Sequence, residues 1–407
     1  MRILSALLTL LIPMIISAQT AFTYIDTSNS DIPDNWVRVT YLDAAGNKWI
    51  GTENGLGMMD PAGNWTVYTT ANSDIPGDQI LSILVDNDGI LWVGTQLNGL
   101  GKFDGTTWTH YDPFNSEIPD FQIQAIAKDV NDTIWIGSQG GFTKWDGADY
   151  WYTYTAENSP LKSSSILDIY IDANDIKYLG TLNGGLSTYD HGLINYYRKD
   201  NSEISDNTVL QITEDADHNK WMATSFGGLS LFTPALSFLN FTPITSDVSD
   251  WTVNDVELDL DGTGLLAMPV TGLDIFLNPE WEHYNNDNSS MSDSLTRLVV
   301  DADNIAWIGT QSRGLVKFDK TLLAANDNDP ELWIGLFPNP ATDQVLMQGV
   351  APGSTVVLSG VSGNILQIKK ATGTSVIFDV RQLPGGNYFI KCISDAGTAV
   401  RQLSVIH

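Results

Sequence analysis

One cysteine, Cys392, stands among 407 residues. A lone thiol excludes an intramolecular disulfide framework and a cysteine zinc cage. Its neighbours Lys391 and Ile393 offer no activating base, so Cys392 is expected to be a buried strand residue. Histidine is scarce too, at His110, His191, His218, His283 and His407. All fall on expected outer strands, in turns or at the terminus, which leaves His-centred general-base chemistry without a candidate. No Gly-x-Ser-x-Gly elbow is present to carry a serine nucleophile. Basic side chains are few, with 20 Lys and Arg against 49 Asp and Glu and a formal charge of −29. The deficit is uneven: residues 334–407 hold five basic and three acidic side chains, leaving −31 on the remainder. A surface that acidic repels phosphate backbones and anionic lipid, which excludes nucleic acid and favours a cationic or neutral partner. Beyond residue 18 no apolar run is long enough for a membrane span.

The exception is the start. Arg2, the apolar stretch Ile3 to Ile16 and the small pair Ser17-Ala18 read as a secretory signal peptide, residues 1–18, cleaved after Ala18. No cysteine follows that could carry a lipid anchor.

What the chain has in abundance is repetition. Trp49, Trp92, Trp135, Tyr178 and Trp221 stand 43 residues apart, Leu265 occupies the corresponding place in a weaker sixth unit, and Trp307 marks the seventh. Each unit reads as an apolar strand ending in Asp, a turn, an aromatic-Ile-Gly-Thr strand, Gly-Leu and a further strand. In the second unit the strands are expected at 79–86, 91–96, 100–104 and 108–111. A period near 43 with short strands indicates propeller blades, each too thin to bury its own faces. The inner strands end at Asp43, Asp86, Asp129, Asp172, Asp215, Asp259 and Asp301. Apolar residues three and six positions before these Asp lie on opposite strand faces, as a sheet sandwiched between neighbours requires. Only six outer strands follow inner ones, whereas Phe22-Thr23-Tyr24-Ile25 and the Asn29-to-Pro33 segment repeat the missing pattern. The expected fold is therefore all-β: a seven-bladed propeller over 19–320 in which the N-terminal strand completes the last blade.

Turns such as Asp86-Asn87-Asp88 and Asp301-Ala302-Asp303 lack the spacing to a bidentate Glu, so they read as hairpin formers, and no metal or cofactor is expected. Four positions before each inner-strand Asp stand Val39, Ser82, Ala125, Asp168, Gln211, Asp255 and Arg297. Burying charge is costly unless it is paired, so Asp168, Asp255 and Arg297 are expected to share a central channel, as a solvated structural network or as an acidic catalytic cluster. Ligands are expected on the face made by the loops before the inner strands, with Trp36, Phe121 and Trp251, and by the loops between second and third strands. The second set carries Gln96, Asn98, Asn183, Phe226 and Arg313. Flat aromatics beside amides and an Arg stack on sugar rings or anchor a protein.

The units resemble the two-component regulator propeller repeat, Asp-x-x-Gly-x-x-Trp-Ile-Gly-Thr-x-x-Gly-Gly-Leu, at Asp43 to Leu56, Asp86 to Leu100, Asp215 to Leu229 and Asp301 to Leu315. In that family such propellers often sense for histidine kinases, but no kinase segment is present here. After a linker at 321–333, the segment 334–407 opens on Leu336-Phe337-Pro338-Asn339-Pro340 and closes with Leu383-Pro384-Gly385-Gly386-Asn387-Tyr388 and a terminal strand. It is expected to form a small β-sandwich. It resembles the type A C-terminal sorting domain of the type IX secretion system of Bacteroidota. That resemblance implies the secretion machinery as a partner, export to the cell surface or medium, and removal of the domain. The sequence thus points to an exported monomeric propeller that binds a glycan or protein at its channel mouth. A secreted lyase or hydrolase using Asp168, Asp255 and Arg297, and a structural adhesin, remain open.

Overall fold

The computed structural model describes residues 21–147, 150–276, 281–292, 294–323, 335–339, 341–360, 365–394 and 397–406. The signal peptide, most of the linker, Pro340 and His407 lie outside them. The described elements are β-strands and one 3-10 turn at Lys320–Leu322.

Between Phe22 and Phe318 the described residues form seven four-stranded antiparallel sheets. Their first strands are Val37–Leu42, Ile80–Val85, Ile123–Lys128, Ile166–Ile171, Val209–Glu214, Asp255–Leu258 and Leu295–Val300, which number the sheets one to seven. Six sheets are meanders of consecutive strands; in the second, Ile80–Val85 is followed by Leu91–Thr95, Leu100–Phe103 and Trp108–Tyr111. Each first strand contacts the next, and Leu295–Val300 contacts Val37–Leu42, so the sheets close into a ring. The seventh sheet takes its outer strand from the other end of the chain. Phe22–Ile25 pairs with Leu315–Phe318 in the register Phe22↔Phe318, as the sequence pattern predicts. The Phe22 and Phe318 rings stack at 4.8 Å.

Each recurring residue has a physical task. The Asp ending the first strand organises its hairpin: Asp43 Oδ1 accepts the backbone N–H groups of Ala45 and Asn47, while Oδ2 accepts the Trp49 indole N–H at 2.8 Å. The same indole bond forms at Asp129 with Trp135 and at Asp215 with Trp221, both 2.8 Å, and at Asp301 with Trp307 at 2.7 Å. Asp86 holds Trp92 more loosely at 3.3 Å, and the Tyr178 hydroxyl reaches Asp172 at 3.2 Å. Lysines carry these carboxylates into the next sheet, Lys48 to Asp301 at 3.5 Å, Lys177 to Asp129 at 3.3 Å and Lys220 to Asp172 at 3.9 Å. Where Leu265 replaces the aromatic donor, Lys320 pairs with Asp259 instead.

The Gly after the anchor aromatic is required by crowding between sheets. A Cβ on Gly94 would stand 2.1 Å from Ser82 Oγ and 2.7 Å from the Ile123 carbonyl of the next sheet. The following Thr closes the next loop, as Thr95 Oγ1 donates to the Gly99 carbonyl at 2.9 Å. Gly99 has φ +77°, and a Cβ there would meet the Tyr111 carbonyl at 2.3 Å. Its N–H crosses to the Phe121 carbonyl of the neighbouring loop at 2.8 Å, one of a series of such inter-sheet bonds on this face.

The tail contributes a three-stranded sheet of Gly335–Phe337, Gln344–Gln348 and Ser375–Asp379. A second, four-stranded sheet joins Thr355–Gly360, Ile365–Lys370, Gly386–Ser394 and Gly397–Val405. The two share one core that includes Val345, Leu358, Phe378 and Ile390. Cys392 is buried in it, and burial pushes its thiol above the ordinary range, consistent with a structural residue.

Candidate functional site

The first strands of six sheets carry a register shift near their starts: between Val37 and Val39, Ile80 and Ser82, Ile123 and Ala125, Ile166 and Asp168, Val209 and Gln211, and Leu295 and Leu298. A β-bulge leaves one residue without a cross-strand partner and re-aims it. The residues so displaced are Arg38, Leu81, Gln124, Leu167 and Leu210, with Thr296 and Arg297 in the seventh sheet. All of them line one cavity of about 260 Å³, together with Trp36 and Gln122. Side chains from six sheets thus converge at the end of the channel where the first strands begin.

The mouth is chemically mixed. Arg38 pairs with Glu53, which also accepts from Gln79, and the Arg38 guanidinium lies 4.7 Å from the centroid of the Trp36 ring. Trp36 is 40% exposed. Arg297 donates to the Leu210 carbonyl at 3.0 Å and the Asn254 carbonyl at 3.4 Å, and stands 3.7 Å from the Asp255 carboxylate. Two guanidiniums, two glutamine amides, an indole and three leucines therefore face one opening.

Behind the mouth lies an acidic cluster whose members have structural bonds. Asp168 accepts the Ile212 N–H of the next sheet at 2.8 Å, and Asp255 accepts the Leu298 N–H at 2.7 Å. The Gln211 side-chain carbonyl accepts the Val256 N–H at 3.3 Å, and Ser82 Oγ donates to the Ile123 carbonyl at 3.1 Å. This row is an inter-sheet latch. Burial raises the pKa of Asp168 and Asp255, while the positive charge of Arg297 opposes the shift in both. Glu257, one pleat further down the channel, accepts from Thr213 Oγ1 at 3.3 Å. Burial, and then the charge of Asp255, pushes its carboxyl up as well. Sequence reasoning missed Glu257, although it has the same strand parity as Asp255.

Of the eight ligand-binding candidates, the structure brings only Trp36 into the mouth cavity, beside Arg297. The others sit on the surrounding loops with local partners. Phe121 packs against Phe114 at 5.6 Å, and the Trp251 carbonyl accepts the Gly228 N–H. Phe226 is 75% exposed and its N–H donates to Asp206. The Gln96 and Asn98 N–H groups bond to the Gln79 carbonyl and Thr95 Oγ1. Asn183, at φ +61°, bonds Thr208. Arg313 lies over the Tyr24 ring of the closing strand at 3.9 Å. Among the described histidines, His110 bonds the Asp74 carbonyl, His191 pairs with Asp190, His218 with Glu214 and His283 with Asp274, all away from the mouth.

The sorting-motif residues hold the tail together. Pro338 follows a cis peptide bond, Asn339 accepts the Ser404 N–H at 2.8 Å, and Leu383 packs against the core. The Tyr388 hydroxyl donates to the Pro384 carbonyl at 2.7 Å across the turn that ends at Gly386, where φ is +154°. Pro340 lies outside the described residues.

Comparison with known proteins agrees with this organisation. Residues 335–406 match the secretion system C-terminal sorting domain family, and residues 74–96 match the two component regulator propeller family. No curated protein matches the chain. Among solved structures, PorZ, a surface component of the type-IX secretion system of Porphyromonas gingivalis, is 18% identical with a TM-score of 0.60. The alignment covers 94% of this chain and 61% of PorZ, so the chain spans about three fifths of that relative. A streptogramin B lyase is 15% identical with a TM-score of 0.59, over 74% of this chain and 99% of the lyase. Virginiamycin B lyase from Staphylococcus aureus gives 14% and 0.58, over 73% and 98%. At these identities the likeness is one of fold, an all-β architecture of propeller type. The chain carries a regulator-type propeller repeat and a C-terminal sorting domain that directs it to the cell surface or outside. Among the described residues no helix is long and apolar enough to cross a membrane.

Proposed function

We propose that residues 19–320 form a seven-bladed propeller that acts as an exported recognition module, joined through a linker at 321–333 to a sorting β-sandwich at 334–407. Its ligand is a glycan or a peptide segment that offers a carboxylate and a flat face to the channel mouth. The observation that carries this reading is the convergence of Trp36, Arg38, Gln122, Gln124 and Arg297 on one cavity. Guanidiniums bind carboxylates through paired N–H donors, and an indole stacks on a sugar or aromatic face. The acidic ring favours a cationic or neutral partner overall, and both guanidiniums already stand beside carboxylates, Arg38 at Glu53 and Arg297 3.7 Å from Asp255, so a ligand carboxylate would engage them by local hydrogen bonds and not by long-range attraction.

The enzymatic reading rests on channel carboxyls whose pKa burial raises, which could then donate a proton to a leaving group. Against it, Asp168 and Asp255 each commit one carboxylate oxygen to a backbone N–H of the next sheet. Binding of residues 19–320 to glycan and peptide arrays tests the proposal, with Trp36→Ala and Arg38→Gln as probes. Saturable binding of carboxylate-bearing ligands, weakened at least tenfold by either change and without turnover, supports recognition. Turnover lost in Asp255→Asn would instead establish the enzyme, and binding unaffected by both probes would remove the mouth as the site.

A further inference from the structure

The tail's three-stranded sheet is apolar on both faces. Leu336, Val345, Met347, Val376 and Phe378 point into the tail's own core. The alternate residues Phe337, Leu346 and Ile377 form a single cross-strand row, Phe337 opposite Leu346 and Leu346 opposite Ile377. That row belongs to another cluster, with Phe241 of the fifth sheet and Phe276 of the sixth. The Phe337 ring lies 4.8 Å from that of Phe276 and 5.7 Å from that of Phe241. Phe337 and Leu346 are buried to 4% and 0% exposure although neither contributes to the tail's core.

Polar complementarity accompanies the apolar contact. Ser375 Oγ donates to Asp217 of the ring at 2.6 Å and Thr374 Oγ1 donates to the same carboxylate at 3.3 Å. Glu203 of the ring acts electrostatically on Arg381 of the tail. Gly373 lies against the ring: a Cβ there would stand 1.9 Å from Asp217 Oδ1, and the three atoms nearest to it all belong to the Asp217 carboxylate, which would have to move to admit a side chain. Lys48, Lys177 and Lys220 precede their anchor aromatics and cross to a neighbouring Asp, whereas Leu91, Ile134, Gly264 and Ala306 take that position in the other four sheets. The tail packs at one of these four junctions, beside Gly264 of the sixth sheet.

We propose that this face is a built docking surface by which the sorting domain is latched to the fifth and sixth sheets of its own ring, and that the latch depends on the intact linker. A tether of this kind supplies an effective concentration on the order of millimolar, which sustains a contact too small to persist between separate molecules. The contact is also loosely packed, with a cavity of about 330 Å³ beside Phe337, Trp281 and the loop Pro243 to Asp247. Cutting the linker therefore releases the sorting domain and uncovers Phe241, Phe276 and Trp281 on the ring.

Small-angle scattering of residues 19–407 reads the latch directly. The parent is expected to be compact, whereas Phe337→Glu and Gly373→Leu raise the radius of gyration. Reaction of Cys392 with a thiol reagent reports whether the tail stays folded, because this single cysteine is buried in the tail core. Asp217→Arg breaks the same contact from the ring side and leaves the tail sequence intact, so it decides the matter if the tail variants unfold. A parent as extended as the variants, or an Asp217→Arg chain as compact as the parent, overturns the docking face. A protease site placed within 324–333 tests the tether: at micromolar protein the cut tail is expected to elute separately while an apolar dye gains fluorescence on the ring. Coelution after cutting overturns tether dependence. None of these readouts uses the channel mouth, so they stand or fall apart from the recognition proposal.

Discussion

Replacing Arg297 by Met separates the electrostatic work of the channel from its packing. Burial raises the carboxyl pKa of Asp255 and Glu257 in the folded ring, and Arg297 limits the rise. Folded-state values above those of the unfolded chain give a definite sign. The ring is favoured below the ordinary carboxylate range and loses stability as pH rises through the elevated folded values. Removing one partner of a buried ion pair costs about 3–5 kcal/mol. The Arg297 side chain is 27% exposed, so channel water screens part of the loss, and ~2–3 kcal/mol is expected at pH 8. At pH 5 the carboxyls hold their protons, and the loss falls to the two carbonyl hydrogen bonds, about 1 kcal/mol. At on the order of 2 °C per kcal/mol for a ring of this size, Arg297→Met lowers the thermal midpoint by ~4–6 °C at pH 8 and ~2 °C at pH 5. Differential scanning fluorimetry at the two pH values reads the difference. Asp255→Asn in the same chain should recover most of the loss at pH 8, because an amide oxygen still accepts the Leu298 N–H. Equal losses at both pH values, or no recovery in the double variant, would refute the argument.

Three further outcomes follow from contacts within and between the sheets. Trp135→Phe leaves a buried Asp129 oxygen short of its indole donor and is expected to cost ~1–2 kcal/mol in denaturant unfolding, with a smaller loss for Trp92→Phe, whose bond is longer; identical losses would count against the indole–carboxylate bond as the source of the cost. Gly94→Ala drives a methyl into Ser82 and Ile123 and should cost ~2–3 kcal/mol. Gly89→Ala meets no atom but must hold φ +78°, at about 1 kcal/mol, so a reversed order of the two would show that crowding is not what Gly94 relieves. A chain beginning at Asp26 leaves Leu315–Phe318 as a bare sheet edge and is expected to associate during size-exclusion chromatography; a peptide spanning residues 21–26 supplied in trans should restore the monomer peak, and a monomer without the peptide would be the refuting result.

The ring was legible because its repeat is written in residues whose tasks are local and obligatory. Asp43 and Trp49 are six positions apart in every reading of the chain and meet in one hydrogen bond. The displaced outer strand was legible for the same reason, since Phe22–Ile25 and the Asn-Ser-Asp-Ile-Pro stretch after it duplicate a pattern whose partner was missing. Strict alternation was the wrong ruler only at the strand starts. Register is unbroken from Asp168 to Ile171, so Asp168 keeps the row that counting back from Asp172 gives it and accepts a backbone N–H of the next sheet, whereas the bulge just before it breaks the alternation and sends Leu167 to the mouth cavity.

The same limit hid the tail's second face. Phe337, Leu346 and Ile377 read as ordinary members of apolar strands, because a short sheet covered on both sides and one covered on a single side differ only in what lies beyond the chain's local neighbourhood. Gly373 is the informative residue. Its φ lies outside the left-handed region, and the three atoms nearest a Cβ there all belong to the ring. The nearest crowding comes from Asp217, 156 positions earlier, and a glycine crowded first by the other body marks where the two bodies meet.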